Sequence, residues 1–526
     1  MYDILIKNGK VVDGAGNPWY QADVAINGGK IARIGRGLEG ARIMIDAKDR
    51  IVSPGFIDAH THSEFPLLGD PRAVSKVHQG VTTEVVGNCG TSPGPIGGGS
   101  LERVDRELAR YGDVTVDWTT MGGYLERLDK NGIAVNVVPL VGFGTVRTVV
   151  MGYSEEPATP EQRQKMRALV EQAIDEGAFG MSTGLFYAPQ SFAPTDEVID
   201  VARALKAKEA LYCTHVRDES DYTIGFGAAI EEGIKIGSDV GVPVHIAHLH
   251  ALGVATWKKA PEYVACIQKA RDSGLDVTGD QYPYTASGGG ISGSVMPRWA
   301  LEGGRARVLE RLADRATRDK IAGEIAINFE RRGGSARHTF STYRARPEFE
   351  GMNVDEVSKI LGEAPEYAVL TILEGGEASW VSQIIDEEDI VTFLKAPWVM
   401  GGSDGSSLAL SGPVSGGKPH PRNFGTFPRI IGAYARDKGL FQVHEIVRKL
   451  TSLPAARFGL VGRGLIKEGF WADVAVFDWN TIKDTATFKN PHQIPTGIDY
   501  VLVNGQVVVE KGRHTGRLPG QALRRP

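Results

Sequence analysis

Two patterns of hydrophobic and polar positions divide the chain. Near both ends, short apolar segments alternate with turn dipeptides, as in "YDILIKNGKVVDGAG", "ADVAINGGKIARIG" and "ARIMIDAKDR", and again in "WADVAVFDWN" and "IDYVLVNGQVVVEKG". Asn-Gly, Asp-Gly and Gly-Gly dipeptides between such segments are typical of β-hairpins. Because neither terminal piece buries a face by itself, we expect one small β-domain assembled from both ends, residues 1–55 and 462–526.

The middle of the chain has a different pattern. Apolar strand candidates such as "VTTEVVGNCG", "ALYCTHVRDES" and "PVHIAHLHALG" alternate with amphipathic helical stretches such as "TPEQRQKMRALVEQAIDEG". This alternation predicts an α/β fold of parallel βα units and, at this length, a TIM-like (β/α)8 barrel, which we place at residues 56–461. Residues 301–390 are denser in charge, and we interpret them as an insertion carried by one βα loop.

Composition narrows the class of protein. The 526 residues are 42% hydrophobic and 23% charged, as in a globular protein of two or three domains. With a net charge of −5, we expect a small-molecule substrate and neither nucleic acid nor a membrane as partner. We see no signal peptide and no membrane span. Three distant cysteines, Cys89, Cys213 and Cys266, disfavour a disulfide framework, so we expect a cytoplasmic protein. The sequence does not indicate the oligomeric state.

Reactive side chains follow the ends of several strand candidates. The stretch "IVSPGFIDAHTHSE" ends an apolar run with His60 and His62, which point to the same side of a strand. In a barrel such positions meet at one rim. The set expected at this rim is His60, His62, Cys89, His215, His248, His250 and Asp404. Each alone has an ordinary interpretation as a buried cysteine, a core histidine or a helix cap, but together on one rim they would be an improbable accident.

These residue types point to zinc. Thiolate and imidazole groups are preferred Zn²⁺ ligands, and three protein ligands with one open position are typical of a catalytic site. Zinc lowers the pKa of its bound water from 15.7 to about 7 and so supplies hydroxide at neutral pH. A nearby carboxylate takes that water's proton and returns it to a leaving amine, and Asp404 is the natural candidate.

Eight motifs together resemble a known family. They are "PGFIDAHTHSE", "GVTTEVVGNCGTSPGP", "GAFGMSTGLFYAPQ", "THVRDE", "HIAHLHALG", "DQYPYTAS", "GSDG" and "HPRNFGTFPR". Over nearly the whole chain the sequence resembles the D-aminoacylase (N-acyl-D-amino-acid deacylase) group of the amidohydrolase superfamily. The resemblance implies a TIM-like barrel with a β-sandwich built from both termini, and zinc-dependent hydrolysis of the amide bond of N-acyl-D-amino acids.

The resemblance also implies roles for the metal-site residues. By position, Cys89, His215 and His248 would hold one tight Zn²⁺. His60 and His62 would serve a second, weaker metal site.

Other matched positions concern the substrate. The resemblance implies that Arg422, Tyr282 and Ser287 receive the substrate's α-carboxylate by bidentate pairing and hydroxyl donation. Where the family usually has His-x-Lys, this chain has His-Leu-His, ending at His250, so a histidine replaces a lysine of the carboxylate clamp. The family's "GHG" turn is "GFG" here. Both departures make the pocket less cationic, and Arg298 is our candidate to restore positive charge.

Our first hypothesis is therefore a zinc-dependent deacylase, in which a zinc-bound hydroxide attacks the amide carbonyl with Asp404 as general acid/base. Because no extra basic cluster is evident, we expect a hydrophobic or neutral amino-acid side chain. A second hypothesis keeps the fold but changes the substrate to another amide: a dipeptide with a C-terminal D-residue, a cyclic imide or a hydantoin. A third is a non-catalytic scaffold on the same fold.

Overall fold

Strands in which every residue is buried alternate with helices through the middle of the chain, as expected for a parallel sheet that is buried on both faces. The computed structural model describes residues 1–112 and 114–526. Its strands are β1 (Tyr2–Val11), β2 (Tyr20–Asn27), β3 (Lys30–Gly35), β4 (Ala41–Asp46), β5 (Ile51–Pro54), β6 (Phe56–Asp58), β7 (Val81–Val86), β8 (Asn136–Pro139), β9 (Val141–Gly142), β10 (Gly180–Gly184), β11 (Leu211–His215), β12 (Val244–Ile246), β13 (Val277–Gln281), β14 (Ser287–Gly290), β15 (His338–Thr342), β16 (Ser379–Ser382), β17 (Val399–Gly401), β18 (Val474–Phe477), β19 (Ile498–Val503), β20 (Gln506–Glu510) and β21 (Arg513–His514).

The helices lie mostly between the barrel strands and in the stretch that follows β14. The α-helices are α1 (Pro66–Gly69), α2 (Val74–Val77), α3 (Leu101–Leu108), α4 (Met121–Asn131), α5 (Phe143–Met151), α6 (Pro160–Asp175), α7 (Thr195–Ala202), α8 (Phe226–Val240), α9 (Ala260–Asp272), α10 (Ile291–Val295), α11 (Gly304–Ala313), α12 (Arg315–Arg331), α13 (Val354–Leu361), α14 (Pro365–Gly375), α15 (Glu387–Lys395), α16 (Arg422–Arg429), α17 (Val443–Leu450) and α18 (Ser452–Arg457). Short 3₁₀ turns lie at Gly98–Ser100, Gln190–Phe192, Arg203–Lys208, Arg298–Leu301, Ser335–Arg337 and Pro347–Phe349, and a π-helical turn at Ile430–Asp437.

Eight strand positions close into a barrel. Parallel neighbours run β6–β7–β8 in one hydrogen-bonded sheet and β9–β10–β11–β12–β13–β17 in another. Strands β8 and β9 are one barrel strand interrupted at Leu140. The circle closes between β17 and β6, where the Ala59 N–H donates to the Gly401 carbonyl at 3.3 Å and Thr61 bridges Gly405. The predicted TIM-like barrel is confirmed.

Side chains from successive strands fill the barrel interior. One buried cluster contains Ile57, Val85, Val138, Leu211, Cys213, Ala247 and Met400. Cys213, one of the three cysteines, is thus part of the core. With the middle of the barrel packed, a ligand has room only beyond the strand ends.

A nine-stranded sheet unites the two termini. Its order is β21–β20–β19–β18–β5–β1–β2–β3, with β4 paired to β1. The amino- and carboxyl-terminal pieces join where β5 and β18 run antiparallel, with Ile51 opposite Phe477 and Pro54 opposite Val474. Val24 and Leu502, one from each terminal piece, share its hydrophobic core. The expected β-domain is therefore built from both ends, while its exact boundaries stay a prediction.

Between β13 and β17 the chain leaves the barrel. It forms a three-stranded antiparallel sheet, β14–β16–β15, covered by α10 to α14. Ile325, Phe340 and Trp380 belong to a separate core in this stretch. The insertion predicted at residues 301–390 falls largely within it, although the extra sheet begins earlier, at Ser287, because β14 pairs with β16.

None of the helices within residues 1–112 and 114–526 combines the length and apolar character needed to cross a membrane.

A buried ion network ties the barrel rim together. The Lys76 ammonium, fully buried, donates to Asp58 Oδ2 at 2.8 Å and to Ser403 Oγ at 2.7 Å, and lies 3.5 Å from Glu84 Oε1. Glu84 in turn accepts hydrogen bonds from Ser63 Oγ at 2.6 Å and from a second serine hydroxyl. The network therefore links β6, β7 and α2 to the loop after β17.

We predict that Lys76→Met destabilises the protein by about 3–5 kcal/mol, because it leaves two buried carboxylates without their cation. The measurement is the shift of the urea unfolding midpoint. Lys235→Met, at an exposed position on α8, is the matched control, for which we expect a change within about 0.5 kcal/mol. An unchanged midpoint for Lys76→Met would show that the network does not stabilise the fold.

Candidate active site

Six of the residues singled out in the sequence lie just beyond the carboxyl ends of barrel strands. β6 leads to His60 and His62, β7 to Cys89, β11 ends at His215, β12 leads to His248 and β17 to Asp404. Parallel strands of a barrel end at one rim, so these side chains share one side of the molecule.

The Cys89 sulfur lies at the centre of three imidazoles. Its Sγ is 3.4 Å from His60 Nε2, 3.6 Å from His215 Nδ1 and 3.6 Å from His248 Nε2. A tetrahedral zinc ion with Zn–S near 2.3 Å and Zn–N near 2.1 Å requires S···N separations of about 3.6 Å. The donor types and the sulfur–nitrogen distances therefore fit a zinc ion bound by Cys89 and neighbouring imidazoles. The ligand atoms of Cys89, His60 and His248 all lie within 4.8 Å of one another, and those of His215, Glu219 and His248 form an adjoining group.

Electrostatics favour the thiolate form of Cys89. Burial by itself raises the pKa of the thiol, but the positive charge of His60 and hydrogen bonds from His215 and His248 outweigh it and lower the pKa well below its ordinary value. The thiolate is the form that binds metal.

A carboxylate that the sequence interpretation missed orients two of these imidazoles. Glu219 Oε2 lies 3.4 Å from His215 Nε2, and Glu219 Oε1 lies 3.1 Å from His248 Nδ1. On both rings, the nitrogen that faces Glu219 is the one opposite to that facing Cys89. Burial opposes ionisation of Glu219, but the two histidines outweigh it and lower its pKa to about 2. Carboxylates in this position fix the tautomer and orientation of metal-binding histidines.

A second missed carboxylate supports His60. Asp280, in β13, accepts a hydrogen bond from His245 at 2.8 Å and has an oxygen 3.6 Å from His60 Nδ1. Burial lowers the pKa of His60, but the Cys89 thiolate and Asp280 outweigh it and raise that pKa to about 9. Both carboxylates had a local signal: Glu219 follows His215 by four residues in "THVRDE", and Asp280, in "DQYPY", is the last residue but one of its strand.

His60 and His62 also face Asp404. Asp404 Oδ1 lies 3.1 Å from His62 Nε2 and 3.6 Å from His60 Nε2, and its Oδ2 lies 2.7 Å from the Arg422 guanidinium. Burial raises the pKa of Asp404, but Arg422 and the histidines outweigh it and hold that pKa well below its usual range. The three groups His60, His62 and Asp404 form a second cluster able to hold a metal ion.

The backbone is strained at three of these positions. The φ angles are 53° at Cys89, 30° at His248 and 48° at Asp404. Left-handed conformations at non-glycine residues cost about 1–3 kcal/mol each and persist only where neighbours enforce them. The His248 N–H donates to Asp280 Oδ1 at 3.1 Å, and the Asp404 N–H donates to the His60 carbonyl at 2.8 Å. These bonds bend the strand ends so that the side chains point to one place.

A cavity of about 950 Å³ lies over this cluster, between the barrel rim and the inserted sheet. Four of the predicted substrate-binding residues, Arg422, Tyr282, Ser287 and His250, line it. The Arg422 guanidinium stacks on the Tyr282 ring at 4.8 Å, and the Tyr282 hydroxyl shares a 3.0 Å hydrogen bond with His250 Nε2. Burial and the charge of nearby His248 lower the pKa of His250 to about 3, so His250 is neutral.

The structure does not bring Arg298 to the same wall. Its guanidinium stacks behind Phe186, 4.4 Å from the ring centroid, and it is Phe186 that lines the cavity. A hydrophobic ring therefore stands between Arg298 and the reacting groups.

Comparisons with known proteins extend over the whole chain. Residues 44–509 match the amidohydrolase family model. The chain is 36% identical to the D-aminoacylase of Alcaligenes xylosoxydans xylosoxydans, covering 100% of this chain and 98% of that protein. It is 34% identical to the N-acyl-D-aspartate deacylase of the same organism, covering 99% and 95%.

Solved structures give the same picture. A D-aminoacylase, studied for the role of its binuclear metal center with activation by one metal and attenuation by the second, has a TM-score of 0.84 at 34% identity, covering 100% of both chains. The N-acyl-D-glutamate deacylase of Bordetella bronchiseptica, complexed with zinc and a phosphonate mimic of the tetrahedral intermediate, has a TM-score of 0.83 at 31% identity, also covering 100% of both.

We predict that Glu219→Gln weakens zinc binding about 10- to 100-fold, because glutamine keeps the shape but removes the charge that orients two imidazoles. The measurement is the zinc dissociation constant from competition with a chromogenic chelator. Glu231→Gln, exposed on the neighbouring helix α8, is the matched control. Equal zinc affinity in both variants would remove Glu219 from the metal site.

Proposed function

The chain belongs to the amidohydrolase family, and on that premise we propose that it is a zinc-dependent hydrolase that removes the acyl group from N-acyl-D-amino acids. Its full-length relatives include a D-aminoacylase and an N-acyl-D-aspartate deacylase. One observation carries the proposal: the Cys89 sulfur lies within 3.6 Å of three imidazoles, beside the Asp404 carboxylate and under one cavity.

We assign the tight zinc to Cys89, His215 and His248. A bound zinc ion polarises a carbonyl oxygen and lowers the pKa of a water ligand to about 7. Glu219 holds the two imidazoles so that the nitrogens opposite to it face the sulfur, which prepares the site before the ion arrives. We assign a second, weaker site to His60 and His62.

Asp404 is our candidate for moving protons. Because it is ionised, it accepts the proton of the attacking water on Oδ1, the oxygen that faces His62, while Oδ2 stays on Arg422. It then donates this proton to the amide nitrogen as the C–N bond breaks. One water is consumed, and a carboxylic acid and a free amino acid are released.

The substrate's α-carboxylate can pair with the Arg422 guanidinium on this wall. Arg422 is buried, and its Nε has no hydrogen-bond partner in the described part of the chain, so it is available to a carboxylate. Tyr282 and Ser287 supply hydroxyl groups beside it. His250 is neutral and so adds no charge, but its hydrogen bond positions the Tyr282 hydroxyl. In this assignment, Arg298 affects the substrate indirectly, through its contact with the Phe186 ring.

The neutral state of His250 also favours a specific alternative, because Arg422 is already paired with Asp404. An amide without a free α-carboxylate, such as a cyclic imide or hydantoin, would not need the clamp. A dipeptide with a C-terminal D-residue would still need it. The complete set of metal-type ligands with Asp404 argues against a non-catalytic scaffold.

We further propose that the protein acts in the cytoplasm. All three cysteines are free thiols, and Cys89 must stay reduced to bind metal.

Zinc-loaded enzyme is expected to hydrolyse N-acetyl-D-methionine and to leave N-acetyl-L-methionine almost untouched, because the clamp and the metal hold the α-carboxylate and the carbonyl in one arrangement. Release of the free amino acid, followed with a chiral assay, is the measurement. Equal rates on both isomers would contradict the stereochemical assignment. Activity on hydantoins that survives Arg422→Met, without activity on acyl amino acids, would favour the alternative.

Asp404→Asn is expected to keep its zinc and to lose about 10²- to 10⁴-fold in kcat, since the amide cannot carry the proton. Metal content by mass spectrometry and steady-state kinetics are measured on the same preparation. Asp239→Asn, on the exposed face of α8, should behave as the wild type. If Asp404→Asn retained full turnover, the proton would have to travel by another group.

A further inference from the structure

A second buried arginine lies on the cavity wall, on the side of the insertion. Arg332 follows α12, is 2% exposed and lines the cavity. Its NH1 donates to the Tyr222 hydroxyl at 2.7 Å and its NH2 donates to Ser382 Oγ at 3.2 Å, while its Nε has no hydrogen-bond partner in the part of the chain that the structure describes. Both of its partners are thus neutral hydroxyl groups.

The other buried arginines in the described part of the chain differ from Arg332, because each of them pairs with a carboxylate. Arg147 pairs with Glu197 at 3.0 Å, Arg463 pairs with Asp473, and Arg422 pairs with Asp404 at 2.7 Å. A guanidinium keeps its charge at any ordinary pH, and burying that charge without a counter-charge is costly. At a cavity wall, the missing counter-charge is one that a ligand can bring.

The position of Arg332 connects it to the reaction site. The ring of its partner Tyr222 packs edge-on against Phe186 at 5.8 Å, and Phe186 packs against the metal-site residue His215 at 5.5 Å. Arg298 places a positive charge against the Phe186 ring.

Arg332 and Arg422 both contact one strand pair of the inserted sheet. Ser382, which accepts a hydrogen bond from Arg332, lies opposite Ser287 in the β14–β16 register, and Arg422 donates to the carbonyl of the next residue, Gly288, at 3.4 Å. Two guanidinium groups therefore flank the same short stretch of the cavity wall. A substrate that carries two carboxylates would have one guanidinium group for each of them.

We propose that Arg332 forms a second anion subsite, which binds a carboxylate that the substrate carries in addition to its α-carboxylate. The inference rests on the proposed deacylase function and deepens it. The second carboxylate comes either from the side chain of the amino acid or from a dicarboxylic acyl group, since both present the same chemistry to a guanidinium. It replaces the expectation of a neutral side chain, which depended on seeing no additional basic group in the sequence.

Two pairs of substrates separate these sources. For the side chain, kcat/KM is compared between N-acetyl-D-glutamate and the isosteric N-acetyl-D-glutamine; for the acyl group, between N-succinyl-D-methionine and N-butyryl-D-methionine. We expect the charged member of one pair to be preferred. Arg332→Met should lower kcat/KM for that substrate about 10- to 100-fold, as expected for a lost charge-assisted hydrogen bond, and leave its neutral counterpart unchanged.

Two further variants control for structure. Arg332→Lys keeps the charge and should retain part of the preference. Arg331→Met removes the neighbouring arginine, which lies 5.9 Å from the centre of the Tyr222 ring and is partly exposed, and should change the kcat/KM of neither member of a pair. If Arg332→Met lowered kcat/KM equally for charged and neutral substrates, Arg332 would only join the insertion to the barrel, and the subsite would be refuted.

A binding measurement keeps the subsite testable if the deacylase proposal itself fails. Should the wild type hydrolyse none of these substrates, calorimetry with D-glutamate, D-glutamine and succinate compares the zinc-loaded wild type with Arg332→Met. Selective binding of a dicarboxylate that is lost in the variant supports the subsite without the deacylase function. Identical titrations for wild type and variant overturn it.

Discussion

The site depends on one electrostatic constraint: a buried thiolate must be balanced by the groups around it. Three buried anionic side chains, Cys89, Glu219 and Asp280, and the mostly buried Asp404 lie within contact distance of histidines or Arg422. In a poorly polarisable interior, such charges are tolerated only when each has a partner of opposite charge or a metal ion. A zinc ion bound to sulfur and imidazole would add positive charge to that balance.

The barrel makes this arrangement possible because it brings distant parts of the chain to one rim. Cys89, His215 and His248 come from three separate strands, and the strained φ angles at Cys89 and His248 show that the backbone turns sharply there to aim them. The Lys76 network holds together β6, β7 and the loop that carries Asp404, below the candidate metal-binding side chains. The insertion then covers the rim and contributes Ser287 and Arg332 to the cavity.

The barrel and many of the site residues were predictable from sequence, because the patterns that indicate them lie within short stretches of the chain. Alternating buried strands and amphipathic helices indicated the barrel, and reactive residues directly after strands indicated its rim, so the histidines, Cys89 and Asp404 were all candidates. Glu219 was overlooked although it follows His215 by only four residues, because only the folded loop shows that its carboxylate contacts the rings of His215 and His248. Arg332 directly follows a charge-rich helix that looks solvent-exposed in sequence, and its burial depends on how the insertion packs on the barrel. For Arg298, the charge is visible in sequence, but the Phe186 ring against which its guanidinium packs is not.

X-ray absorption spectroscopy of the zinc-loaded protein tests the sulfur–imidazole centre most directly. We expect one sulfur at about 2.3 Å and two or more imidazole nitrogens at about 2.0–2.1 Å around the tight zinc, with the sulfur contribution absent in Cys89→Ala. A zinc ion surrounded by nitrogen and oxygen alone in the wild type would contradict the assignment of Cys89 and, with it, the catalytic centre described above.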